Sequence, residues 1–343
     1  MKMRISDEFW WRKRAMDLSK QRRQIGKTVL SATTLGLGTT AIGGLYQATD
    51  HATAQDTLQA GWEAGIRLFD TAPQYGNGMA EERLGSFLRT KPRNEYLLCT
   101  KVGRLLRVPQ SPQGEDAYYK GTPPERPVFD FNYDGVMTSV EESLKRLGHS
   151  RIDVLHIHDP DNHYDAAIDG AYRALDKLRS EGSIGAVGAG MNQAEMLARF
   201  ARSGLFDCFL LAGRYTLLEQ GALDDFLPLC VEKNISIIIG GVYNSGLLAA
   251  PKAGTKYNYE TADPSVIDRA LALEKACLSH GVPLKAAAIQ FPLAHPAVAT
   301  ILTGVRSRAE MLENERLFKM PIPSELWADL RQQGLISQTA PTP

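Results

Sequence analysis

Ile152-Asp-Val-Leu-His-Ile-His158, then Ala166 to Ser180, then Ile184-Gly-Ala-Val-Gly188: the architecture of the whole chain can be read from these residues. A short apolar run is followed by an amphipathic segment stopped by Gly182, and then by a second apolar run. That order reads as strand, helix, strand, and it implies parallel pairing through a right-handed crossover. The same unit recurs outward in both directions. Toward the N-terminus lie the runs Leu35 to Thr40, Arg67-Leu-Phe-Asp-Thr71 and Tyr96-Leu-Leu-Cys-Thr-Lys-Val102. Helical patterns follow each, over Thr53 to Ala64, Ala80 to Leu88 and Asp134 to Leu147. Toward the C-terminus come strands over Cys208 to Ala212, Ile235 to Gly241 and Ala299 to Thr303. Helical patterns cover Gln193 to Arg202, Glu219 to Lys233, Pro264 to His280, Lys285 to Ala294 and Arg308 to Phe318. Eight strands alternating with helices predict an α/β chain, a single-domain (β/α)8 TIM barrel. A doubly wound open sheet is the alternative. Long loops are expected over 103–132 after strand three and 248–263 after strand seven.

The chain has 343 residues, with 39 Lys and Arg against 39 Asp and Glu. That neutral balance gives no electrostatic case for nucleic acid or an anionic membrane. No apolar run is long enough to span a bilayer, and no signal peptide is evident. The cysteines Cys99, Cys208, Cys230 and Cys277 are scattered, which argues against a disulfide framework or a zinc site. A cytoplasmic location is expected. Residues 1–23 read as a basic, flexible extension carrying Trp10 and Trp11, with Met16 an alternative start. Residues 24–320 read as the barrel and 321–343 as a C-terminal tail.

Barrel active sites gather at the C-terminal ends of the strands. Strand two ends at Asp70 with Tyr75 five residues on, strand three at Lys101, and strand four at His158. Three consecutive strands are neighbours in space. A free tyrosine is a poor acid or base at neutral pH. A nearby lysine cation favours its phenolate, and a buried aspartate can hold that lysine in place. The tyrosine then exchanges a proton with a carbonyl or alcohol oxygen while hydride moves at carbon. Acyl transfer would need a nucleophile–base pair, which is missing from this set.

Gly65-Ile-Arg-Leu-Phe-Asp-Thr-Ala-Pro-Gln-Tyr-Gly76, followed by Glu81-Glu-Arg-Leu-Gly85, resembles the aldo-keto reductase signature around its catalytic Asp and Tyr. Thr100-Lys101, Ile157-His158-Asp-Pro160 and Ile301-Leu-Thr-Gly-Val-Arg-Ser307 resemble its lysine, histidine and cofactor segments. The resemblance runs from Gln24 to Phe318. It implies NAD(P)H lying across the barrel mouth without a Rossmann domain. The glycines Gly36, Gly38, Gly43 and Gly44 lack dinucleotide-fingerprint spacing and belong to the first strand and its turn. The implied cofactor contacts are Gly38, Thr39, Asp70, Gly190, Asn192, Tyr215, Gly241, Tyr243, Ser245, Leu247, Gly304, Arg306, Ser307, Glu310 and Asn314. The implied substrate contacts are Tyr75, His158, Arg104 and Phe129, with Tyr118, Tyr119 and Tyr133 on or beside the same loop.

Gly190-Met191 stands where many members carry Ser-Asn, and Asn192 is the expected substitute. Tyr243 is expected to replace a stacking aromatic at Gly240 or Gly241. Gly241-Val-Tyr-Asn-Ser-Gly-Leu-Leu248 and Phe129-Asp-Phe-Asn-Tyr-Asp-Gly135 resemble the branch of L-fucose, D-threo-aldose and L-galactose dehydrogenases, with pyridoxal 4-dehydrogenase near it. Glu310 would repel a 2′-phosphate, so NAD is expected over NADP, although Arg306 and Arg308 keep NADP as the alternative. The expected partner is a small aldose, aldehyde or hemiacetal. Oxidation of an aldose C1 lactol to a lactone is the expected reaction, with pyridoxal oxidation or general carbonyl reduction as alternatives. Two other classes compete. His156-x-His158 in a barrel also suits a metal-dependent hydrolase. A nucleotide-binding regulatory subunit of the potassium-channel β type has the same fold.

Overall fold

A computed structural model describes residues 17–111, 114–258 and 260–343. Eight parallel strands close into a barrel: β1 (Leu35–Gly38), β2 (Leu68–Asp70), β3 (Leu97–Val102), β4 (Val154–His158), β5 (Ala186–Met191), β6 (Cys208–Ala212), β7 (Ser236–Gly240) and β8 (Val298–Gly304). They follow chain order around the barrel, with β8 closing against β1. Helices lie between successive strands, among them His51–Glu63, Met79–Leu88, Tyr133–Leu147, Ala194–Ser203, Phe226–Lys233 and Arg308–Phe318. Among the described residues no helix is long and apolar enough to cross a membrane. All four cysteines are free and buried.

Strand alternation divides the core in two. Leu98, Leu155 and Ile157 point outward and join the large layer beneath the helices. Leu68, Leu97, Cys99 and Val154 point inward and fill the lumen with Cys208, Leu210 and Ile238. Counting on by twos carries the inward face up β2 to Asp70, up β3 to Lys101 and up β4 through His156 to His158. The period of two therefore puts these groups at the top of the barrel.

The expected extension 1–23 needs correction where the structure describes it. Residues 1–16, with Trp10, Trp11 and Met16, lie outside the described residues. Leu18 is fully buried, and Arg22–Gln24 pairs antiparallel with Ser31–Thr33. Ile25, Leu30 and Ala32 of this hairpin plug the bottom of the lumen. The expected tail 321–343 also packs. Its helix Ser324–Gln332 buries Leu326, Trp327 and Leu330. Strand five extends past Gly188 to Met191. Gly188 is required inside it, because a Cβ there would lie 2.5 Å from His156 Cδ2. The loop after β3 carries a hairpin, Arg104–Arg107 with Arg126–Phe129.

Candidate active site

Lys101 is almost fully buried, and its Nζ donates to Asp70 Oδ2 at 2.7 Å and to the Thr71 carbonyl at 2.8 Å. The same ammonium stands 4.6 Å from the centre of the Tyr75 ring. Tyr75 in turn meets the His158 ring edge to face at 5.8 Å. The four predicted groups thus form one contiguous set at the strand ends. Burial raises the Asp70 carboxyl above the ordinary carboxylate value, and the Lys101 ammonium works against that rise. Burial, reinforced by the Arg104 and Lys101 cations, pushes His158 well below the ordinary histidine value. Its imidazole is therefore neutral at physiological pH.

The set lies between two adjoining cavities. One, of about 260 Å³, is lined by Gln74, Tyr75, Lys101, His158, Asp159 and Asn192, with Tyr118, Tyr119, Met191 and Leu210 as further wall. The other, of about 430 Å³, runs as a groove from Asp70 and Tyr75 past Gly38 and Gly241 to Arg306 and Glu310. Thr40 and Leu45 border both. Thr39, the expected contact, has a buried side chain. Thr40, one residue on, is the one at the wall.

Eight of the expected cofactor residues line the groove: Gly38, Asp70, Gly241, Tyr243, Ser245, Gly304, Arg306 and Glu310. Gly190 and Asn192 line the smaller cavity instead. Five others stand off the wall. Tyr215 is wholly buried against Phe291 and His295, because Gly213, at φ +70°, turns the chain away after β6. Leu247 lies in the outer core. Thr39 donates its backbone N–H to the Asp70 carbonyl at 3.0 Å. Ser307 caps the helix Arg308–Phe318 through the Glu310 N–H. Asn314 backs the groove by accepting from the Tyr243 hydroxyl at 2.9 Å. Arg104 and Phe129, read as substrate contacts, also miss the cavity wall. Arg104 stands behind it, bonded to Gln74 and Asp159. Phe129 is half exposed and packs on Phe131 and His163. Gln74, Asp159 and Met191 were missed as wall residues. The signal was their adjacency to Tyr75, His158 and Asn192.

The groove fits a nicotinamide coenzyme. Asp70 Oδ1 and Arg306 Nε are buried without a hydrogen-bond partner. At Gly38 a Cβ would find no protein atom nearer than the Thr303 carbonyl at 3.9 Å, so a side chain would occupy space the groove leaves open. Gly241 adopts φ +65°, a backbone that L side chains seldom take. A metal reading fares differently. His156 Nε2 faces Cys208 Sγ at 3.7 Å. Among the described residues no three His, Cys, Asp or Glu gather to hold an ion.

Barrel, buried Lys101–Asp70 pair and adjoining groove together suit an oxidoreductase. The chain belongs to the aldo/keto reductase family, whose model matches residues 34–333. It is 42% identical to the pyridoxal 4-dehydrogenase of Microbacterium luteolum, over 93% of this chain and 99% of that one. It is equally 42% identical to the D-threo-aldose 1-dehydrogenase of a Pseudomonas species, over 92% and 96%. An aldo-keto reductase of Bacillus halodurans, solved in its holo form, superposes with a TM-score of 0.75 at 25% identity, covering 93% of this chain and 97% of that one. The family acts on small molecules with nicotinamide coenzymes.

Proposed function

We propose that this enzyme oxidises the C1 hemiacetal carbon of an aldose to a lactone, with NAD as the acceptor. One observation carries the chemistry: Lys101, anchored 2.7 Å from Asp70, lies against Tyr75 beside a cavity with polar walls. A cation there stabilises the phenolate, so Tyr75 takes the proton of the lactol hydroxyl. Asp70 fixes the ammonium at that spot. His158, neutral, orients the substrate oxygen by hydrogen bonding. Tyr118 and Tyr119 line the same cavity. Gly38, Gly241, Ser245, Gly304, Arg306 and Glu310 would hold a nicotinamide coenzyme, which when bound would provide the hydride acceptor. The D-threo-aldose relative supports the sugar reading.

Two contacts favour NAD over NADP. Glu310 accepts from the Arg306 N–H at 2.8 Å, placing a carboxylate at the end of the groove. It would repel a second phosphate and accept from a ribose hydroxyl. Arg308 is engaged elsewhere, on Asp56 at 3.1 Å and Glu63 at 2.5 Å. Four free, buried cysteines suit a reducing cytoplasm.

Pyridoxal is the second reading, favoured by the two tyrosine rings on the cavity wall and by the pyridoxal relative. Pyridoxal closes to a cyclic hemiacetal with the same oxidisable carbon. Absorbance assays of NAD and NADP reduction with L-fucose, D-arabinose, L-galactose and pyridoxal separate the readings. The expected result is a kcat/KM at least about tenfold higher for one aldose than for pyridoxal, and higher with NAD than with NADP. A preference for pyridoxal, or for NADP, overturns the corresponding part.

A further inference from the structure

We infer that Asp159 selects substrates carrying a hydroxyl on the carbon next to the one oxidised, and that Arg104 holds it in place for that task. The inference rests on the proposed oxidation of a hydroxylated hemiacetal. Asp159 directly follows His158 at the end of β4. An extended residue there would turn its side chain out of the lumen by simple alternation. Asp159 instead adopts φ +46°, a left-handed conformation that aspartate and asparagine enter more readily than other residues with side chains. The turn keeps its carboxylate on the same side as His158. Asp159 Oδ2 lies 3.7 Å from His158 Nε2, and the residue lines the substrate cavity.

The surroundings fix that carboxylate. The Asp159 N–H donates to the Gly190 carbonyl at 2.9 Å. Arg104 Nη2 donates to Oδ2 at 2.5 Å, while Nη1 of the same guanidinium donates to Gln74. The guanidinium also sits 4.6 Å over the Phe129 ring. Burial raises the Asp159 carboxyl, and Arg104 opposes that rise. The side chain keeps 34% of its surface exposed. A carboxylate only accepts, so a substrate group facing it must donate. Its closeness to His158 suits two oxygens on adjacent carbons. A substrate whose reacting oxygen is oriented by His158 then brings its neighbouring hydroxyl to Asp159. A side chain redirected into the cavity and held there by a dedicated cation fits recognition better than packing.

The test compares an aldose with its 2-deoxy counterpart, at saturating NAD, in wild-type enzyme and Asp159→Asn. Asparagine tolerates the left-handed backbone and keeps the shape. Wild type should prefer the aldose by about 10- to 100-fold in kcat/KM. Asp159→Asn should bring that ratio close to one, chiefly through a higher KM for the aldose. Arg104→Gln should lower the ratio part of the way. A variant that keeps the wild-type ratio overturns the inference. So does one that loses turnover on both substrates equally with its melting temperature intact, which would make Asp159 a support for His158. Wild type that oxidises both sugars equally well also refutes the inference but leaves the proposed function standing. Wild type that oxidises no aldose refutes the proposed function itself.

Discussion

Lys101 is one of the largest side chains to be fully buried in this molecule. A buried ammonium needs a partner, and Asp70 supplies one at 2.7 Å. Removing only the lysine would strand a carboxylate that burial already disfavours. Lys101→Met should therefore destabilise the fold by about 3–5 kcal/mol, read by chemical denaturation. It should also lower kcat/KM by about 10²- to 10⁴-fold. Adding Asp70→Asn removes the stranded charge, so the double variant should regain most of the stability and none of the turnover. A double variant as unstable as the single one would show that the pair contributes to stability otherwise than by charge compensation.

On the scale of the element, β4 shows how one strand serves packing and chemistry together. Val154, His156 and His158 climb the same inner face, and the middle one lies below the cavity wall that His158 joins. His156 is wholly buried, and burial, with Lys101 close by, pushes it down to about 3. The sign follows from linkage. The unfolded chain binds a proton at His156 near pH 6.5, and the folded chain does not until near pH 3. Stability from this group is complete above about pH 6.5 and falls as pH drops through that window. At about pH 5 the loss is roughly 2 kcal/mol. His156→Gln should flatten that part of the stability–pH curve, measured by urea denaturation at several pH values. A curve of unchanged slope would show that His156 takes its proton without opening the lumen. The His-x-His spacing was legible, but its two roles were not. Spacing puts both rings on one face, whereas only depth in the barrel separates the lumen from the mouth.

At the scale of the whole molecule, the barrel was legible because its eight strands are short apolar runs alternating with helical patterns. The pieces that went unread carry a weaker signal. The bottom hairpin has strands of three residues, and Arg22-Arg23-Gln24 reads as solvated. The closing helix hides its apolar side, Leu326, Trp327 and Leu330, within a polar stretch. The clustering of the four candidate residues was readable from strand ends because a period of two and a chain order suffice to bring them together. Groove residues depend on turns after the strands, where one left-handed residue redirects everything beyond it. Gly213 does so to Tyr215, and Asp159 turns itself into the cavity. The proposed role of Tyr75, tuned by Lys101 and Asp70, is that of the proton-transfer group. It is tested most directly by kcat/KM for the preferred hemiacetal with Tyr75→Phe, in protein that still binds coenzyme. A fall of about 10²- to 10⁴-fold is expected; a phenylalanine variant that keeps most of its turnover would rule that role out.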